Sequence, residues 1–339
     1  MVSLYDRILN ESRPLLLDGG TGTELEKRGV DVNHKLWSGI ALINQPDTLE
    51  KLHYDYYSSG SDAILTATYQ LCDANLKDIG LNPESVYSKA VEVSKKAKDA
   101  INKEDSGSKP RYIIGSVGPY GASLADGSEY TGKYLPDVDE KKLAEFHYGR
   151  LKYLLLSDDI DMIGFETFPN FIEIKAVLNQ FKSIIEESKL INKSCYLSLS
   201  LNDDFNLVDG TLLSGVIKFL VDWRKENCTE NIKLACVGAN CCKLSQSSRI
   251  IEKITDLLSS ENANDLKIVM YPNSGEVYDG LTKEWHPASN TEDELHAASL
   301  VDNVDLWLNT NKVRILGGCC RTGPNDIFEI NKFLNKKYQ

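Results

Sequence analysis

Eight short β-rich runs, separated by stretches of helical spacing, constrain this chain more than any other feature of it. The runs are Leu15 to Asp18, Ala63 to Thr68, Tyr112 to Val117, Met162 to Glu166, Cys195 to Leu201, Leu234 to Val237, Lys267 to Tyr271 and Val313 to Leu316. Several of them, ILTAT, YIIGSV and KIVMY among others, are continuously apolar, the pattern of parallel strands buried on both faces. Helical spacing fills Asp47 to Ser58, Glu84 to Ile101, Glu140 to Leu156, Phe171 to Glu187, Leu212 to Lys225, Ser247 to Leu258 and Thr291 to Leu308. Alternation of this kind predicts an α/β fold, and the count of eight favours a closed (β/α)8 TIM-type barrel over an open doubly wound sheet. No shift of composition marks a second unit, so residues 1–339 read as a single barrel domain with its core over about 15–335.

A formal net charge of −12 argues against nucleic-acid binding, which needs a basic face, and makes small molecules the expected partners. No apolar stretch approaches the roughly 20 residues of a membrane helix, and no signal-type apolar region follows the first ten residues. The eight cysteines include two adjacent pairs and lack the look of a secreted disulfide framework, so the expected compartment is the reducing cytoplasm. A monomer or a weak homo-oligomer is expected.

Barrel active sites lie at the C-terminal ends of the strands, where this chain places a polar rim. Cys241 and Cys242 close LACVGANCC, and Cys319 and Cys320 close VRILGGCC, so thiolates from distant sequence could converge on one metal ion. Three protein thiolates would leave a fourth position open for substrate, whereas four would close a structural site. Three are favoured, with Cys242 turned away. The other cysteines read as small buried hydrophobes. In LLLDGGTGTELEKRG a strand, a glycine turn and a helix follow one another, with Thr21 and Glu24 at capping-box spacing and N–H groups of the Gly19 and Gly20 turn facing an anion. Asp18 is as well suited to holding backbone amides as to holding a ligand. Glu166 ends its strand where it could hold a substrate ammonium. Tyr69, Gln70, Asn240 and Asn273 are hydrogen-bonding candidates on the same rim. The five histidines form no ligand pair, which makes a histidine zinc site or a Ser-His-Asp triad a poor fit. A structural four-cysteine zinc protein and a phosphate-binding barrel enzyme remain as alternatives at this point.

Seven motifs in order, LDGGTGTELEKRG, LTATYQ, GSVGPYGASLADGSEYTG, FETFPN, VGANC, YPNSGEVYD and GGCCRTGP, span about Leu15 to Pro324. The chain thereby resembles the homocysteine S-methyltransferase family, in particular its small members that use S-methylmethionine or S-adenosylmethionine. The resemblance implies one zinc ion per chain held by Cys241, Cys319 and Cys320. It also implies that Asp18, Gly19, Gly20 and Glu166 hold the amino-acid end of homocysteine. The product is then methionine, the nucleophile is the substrate's own zinc-bound thiolate, and no general base is needed. Cys242 falls outside the implied ligand set, and Gly323 stands where a more polar residue is expected. The chain lacks the long C-terminal segment of the betaine-using branch and the folate and cobalamin modules of methionine synthases. S-methylmethionine is the first choice of donor, because no nucleoside pocket is evident in the sequence.

Overall fold

The computed structural model describes residues 3–106, 109–275, 277–279, 284–286 and 299–339. Its strands are β1 (Leu15–Leu16), β2 (Ala63–Leu65), β3 (Tyr112–Val117), β4 (Met162–Phe168), β5 (Lys193–Leu199), β6 (Ile232–Asn240), β7 (Lys267–Tyr271) and β8 (Val313–Leu316). All pair in parallel, in the order β1-β8-β7-β6-β5-β4-β3-β2, which is sequence order around a ring. An outer layer of helices follows the strands: α1 (Pro46–Ser59), α2 (Pro83–Glu104), α3 (Glu140–Leu156), α4 (Phe171–Glu187), α5 (Leu213–Asn227), α6 (Ser247–Ser260), α7 (Leu300–Leu308) and α8 (Pro324–Lys337). The expected (β/α)8 barrel is therefore the fold.

Side chains alternate across each strand, and both faces are apolar because both are covered. Leu15, Leu17, Ile114, Val269 and Ile315 point into the barrel, whose lower end is closed by Leu4 and Ile8 of the N-terminal helix Leu4–Asn10. Their neighbours Leu16, Ile113, Ile268 and Leu316 point outward into the larger core beneath the helices. This two-sided burial is why the strands read as unbroken apolar runs.

The ring closes between β1 and β2 largely through side chains. The Asp62 N–H donates to Leu16 O (2.7 Å), while the Asp62 carboxylate accepts the Leu16 N–H (2.9 Å) and the Asp18 carboxylate accepts the Leu65 N–H (3.0 Å). Asp62 is buried yet stays ionised, because Arg7, Arg13 and Lys109 lie 3.1, 2.6 and 3.1 Å from it. Burial alone would raise its carboxyl, but the three cations and the Leu16 amide hold it below the ordinary aspartate value.

Some boundaries differ from expectation for physical reasons. β6 continues past Val237 because Gly238, Ala239 and Asn240 pair with Val269, Met270 and Tyr271, which carries Asn240 to the barrel mouth. Of the helix expected over Thr291 to Leu308, residues 291–298 lie outside those described. The motif YPNSGEVYD runs into an antiparallel hairpin of Val277–Asp279 with Glu284–His286. The expected capping box at Thr21 is not formed: the helix Thr21–Lys27 starts after Gly20 with no side-chain cap. Glu24 pairs instead with Lys27 (2.5 Å) and packs on Gly323, where an added Cβ would stand 2.8 Å from its Oε1.

Asp62→Ala should lower the unfolding free energy by about 3–5 kcal/mol, since it takes a carboxylate partner from Arg7, Arg13 and Lys109 together and removes a seam acceptor. Urea denaturation measures this. A loss under about 1 kcal/mol would show that the seam does not depend on the carboxylate.

Candidate active site

Two loops bring the sulfurs together. Cys241 leaves β6 in a left-handed turn (φ 51°), and its N–H donates to Tyr271 O (3.3 Å). Cys319 and Cys320 leave β8 after Gly317 and Gly318, with the Cys319 N–H donating to Pro272 O (2.7 Å). The Cys241 sulfur lies 2.8 Å from that of Cys319 and 3.6 Å from that of Cys320, and all three fall within 4.8 Å of one another. Cys242 turns the other way, its Sγ packed in the core 4.0 Å from Met270 Sδ.

All eight cysteines are free thiols. A tetrahedral ion about 2.3 Å from each ligand would space the sulfurs at roughly 3.8 Å, close to the span found, so the cluster has the donor type and size for a thiophilic metal. Without a cation the grouping resists ionisation. The hydrogen bond with Cys241 is the foremost cause pushing the Cys319 thiol well up, and burial and the Cys241 charge add to it, outweighing an opposing hydrogen bond with Cys320.

Two asparagines predicted for the rim brace these loops. Asn273 donates through Nδ2 to Cys241 O (3.3 Å), accepts the Cys320 N–H at Oδ1 (3.2 Å) and donates its own N–H to Cys242 O (3.0 Å). Asn240 accepts the Thr167 N–H (2.9 Å) and donates to Thr167 Oγ1 (2.9 Å), with Nδ2 3.9 Å from the Cys319 sulfur. Thr167 itself is held at φ 60°, which turns the chain directly after Glu166. Gln70 donates to Ala122 O (2.8 Å) and leaves its buried Oε1 without a partner. Tyr69 lies partly buried within the electrostatic reach of Cys241, Glu129 and Glu166.

Asp18 is fully buried at the mouth beside these loops. Its Oδ2 takes the Leu65 N–H, and its Oδ1 has no partner. Burial pushes its carboxyl well above the ordinary value, and the Glu166 charge adds to this. Glu166 accepts the Ser116 hydroxyl at Oε1 and the Tyr271 hydroxyl at Oε2 (3.2 Å). Burial pushes it up to about 7, although both hydroxyls favour its charged form. The two glycines sit where the β1 exit meets the β8 loop in close contact. A Cβ on Gly19 would stand 2.3 Å from Thr322 O and one on Gly20 2.6 Å from Cys319 O, while the Gly20 N–H is already spent on Thr322 O (2.9 Å).

Several contributors escaped the sequence reading. Ser116 and Tyr271 hold Glu166. Arg150, buried on α3, donates to Thr68 O (3.0 Å), Tyr69 O (2.6 Å) and Gly118 O (2.6 Å), tying the β2 and β3 exits together. An arginine on a buried helix face was its only available signal. Tyr130, half exposed in the loop after β3, lies within electrostatic reach of Cys241.

A sequence profile of the homocysteine S-methyltransferase family matches residues 15–334. The homocysteine S-methyltransferase of Escherichia coli strain K12 is 35% identical over 323 residues, covering 94% of this chain and 95% of that protein. A selenocysteine methyltransferase from Astragalus bisulcatus is 34% identical over 349 residues, covering 98% of this chain and 96% of that protein. Among solved structures, the metallated form of the E. coli homocysteine methyltransferase MmuM superposes with a TM-score of 0.78 at 30% identity, covering 97% of this chain and 99% of that one.

The raised Glu166 carboxyl has a consequence for stability. The unfolded chain loses this proton near 4.5 and the folded one near 7, so rising pH favours unfolding across that window. Glu166→Gln should remove this share, gaining roughly 2–3 kcal/mol on the wild type between pH 4.5 and 7 in metal-free, ligand-free protein. Urea titrations at a series of pH values measure it, and parallel pH profiles for the two proteins would contradict the assigned shift.

Proposed function

The chain belongs to the homocysteine S-methyltransferase family, and from that premise we propose that it transfers a methyl group from a sulfonium donor to homocysteine, forming methionine. The observation that carries the reading is the cluster of Cys241, Cys319 and Cys320 beside the unpartnered Oδ1 of Asp18. Zinc is the proposed metal, one per chain, held by those three sulfurs. When bound it would supply the positive charge that lets a thiol lose its proton well below its ordinary pKa of about 8.5.

The remaining work falls to side chains. Asp18 and Glu166 take the homocysteine ammonium, a role that suits two buried carboxylates lacking a cation of their own. Asn240 and Asn273 keep the cysteine loops in register by spending their amides on backbone and neighbours. In the transfer itself a homocysteine sulfur lone pair forms the new S–CH3 bond. The pair of the broken bond stays on the donor sulfur, turning the sulfonium into a neutral thioether. Opposite charges are consumed and no acid or base is needed in that step, so alignment of the two sulfurs in a water-poor mouth is the main source of rate. S-methylmethionine is the proposed first donor, S-adenosylmethionine the second, and neither betaine nor methyltetrahydrofolate should serve. Among the described residues no helix is long and apolar enough to cross a membrane, and eight free thiols suit a reducing compartment such as the cytoplasm.

Methionine formation from homocysteine with each donor, with and without chelator, tests the function. Single Ser replacements of Cys241, Cys319 and Cys320 should each abolish or sharply reduce zinc content, while Cys242→Ser keeps it. Full zinc occupancy in all three variants, read by elemental analysis, would sink the ligand assignment. Loss of zinc in Cys242→Ser would instead favour a closed, structural site.

A further inference from the structure

The methyl-transfer reading leaves one buried charge of the barrel mouth unused. Glu129 belongs to the short turn Ser128–Tyr130 after β3, is 8% exposed, and its Oε2 has no hydrogen-bond partner. Among the described residues no cation pairs with it, and its own backbone N–H is the one group that favours its charge. Isolated buried carboxylates are costly, and one held in place by its surroundings is kept for a ligand more readily than for stability.

The loop around Glu129 is built to hold it still. The Ser128–Glu129 backbone packs so tightly on Gly121 that a Cβ there would stand 2.6 Å from Glu129 N. Asp126 accepts the Ser128 N–H (2.9 Å), and the Gly132 N–H returns to Ser128 O (2.9 Å). Both flanks are anchored to Glu173 on α4: it accepts the Tyr120 N–H (2.5 Å) and the Tyr134 hydroxyl, with His147 2.8 Å away. Glu129 shares the β3 exit with Tyr69, whose ring would stand 2.6 Å from a Cβ on Gly118, and its charge reaches Tyr69 and Tyr130, the latter also within electrostatic reach of Cys241.

Asp18 and Glu166 account for one ammonium. A sulfonium amino acid brings two more positive charges into the mouth, and in the reading so far only the homocysteine thiolate, which the transfer itself consumes, answers them. We propose that Glu129 recognises the positive charge of the methyl donor, its carboxylate acting as the counter-charge for a small sulfonium amino acid docked against Tyr69 and Tyr130. Aromatic faces add to the attraction of such a cation. The same group would disfavour a neutral thioether product relative to the cationic donor, which helps the spent donor leave.

This assignment rests on the methyl-transfer reading, and the test separates the two. Glu129→Gln should raise KM for S-methylmethionine about 10–100-fold, the loss of one charge-assisted contact, and leave KM for homocysteine and zinc content unchanged. Glu129→Asp, which keeps the charge on a shorter arm, should recover part of the loss. Calorimetry without homocysteine gives an independent readout: wild type should bind S-methylmethionine more tightly than methionine, and Glu129→Gln should lose that preference. A donor KM within twofold of wild type in Glu129→Gln, while wild type makes methionine normally, overturns the assignment alone. Absence of methionine formation by the wild type with any sulfonium donor overturns the methyl-transfer reading and this assignment with it.

Discussion

Backbone hydrogen bonding between the exits of β6, β7 and β8 is the constraint on which the rest of the mouth depends. Cys241 and Cys319 are 78 residues apart in sequence, and neither loop alone could hold two sulfurs within 3 Å. The β7 exit lies between them and serves both, through Tyr271 O to the Cys241 amide, Pro272 O to the Cys319 amide and the Asn273 side chain to both loops. Adjacent positions in a barrel sheet make this possible, because β7 pairs with β6 on one side and β8 on the other. The thiol cluster is thus a property of strand order before it is a property of cysteine.

The buried carboxylates divide into two kinds by their surroundings. Asp62 meets three cations and is held ionised, so its charge strengthens the fold. Asp18, Glu166 and Glu129 are buried without such company, and burial drives each carboxyl upward. Their cost is carried by the apolar cores around them, and a ligand bearing positive charge relieves it. The contrast between one end of the barrel, where charges are paired, and the mouth, where they wait, separates structural from functional polarity within one fold.

Strand count, helix alternation and barrel closure were legible because two-sided burial writes itself as unbroken apolar runs, as in YIIGSV and KIVMY. The cysteine loops were legible because doubled cysteines at strand exits have few other uses. Less was legible where one side chain serves a distant backbone. Arg150 reads as an ordinary helical arginine until its three carbonyl partners, up to 82 residues away, are brought to it. Ser116 and Tyr271 reach Glu166 across the barrel, a relation that no local spacing records. The capping box at Thr21 failed for a related reason: Gly20 is committed to the β8 loop, and tertiary contact outweighs the local preference.

Asp18 spans the seam and the mouth at once. One of its oxygens fastens the Leu65 amide of β2 to the end of β1, and the other is buried without a hydrogen-bond partner. A carboxylate divided in this way makes barrel closure and events at the mouth parts of one equilibrium, for the charge available to the seam depends on what the free oxygen meets. Linkage runs in both directions, so a cation that settles on that oxygen also tightens the strand junction. Hydrogen exchange at the Leu65 amide, deep in the staves, is then a gauge of what happens at the rim.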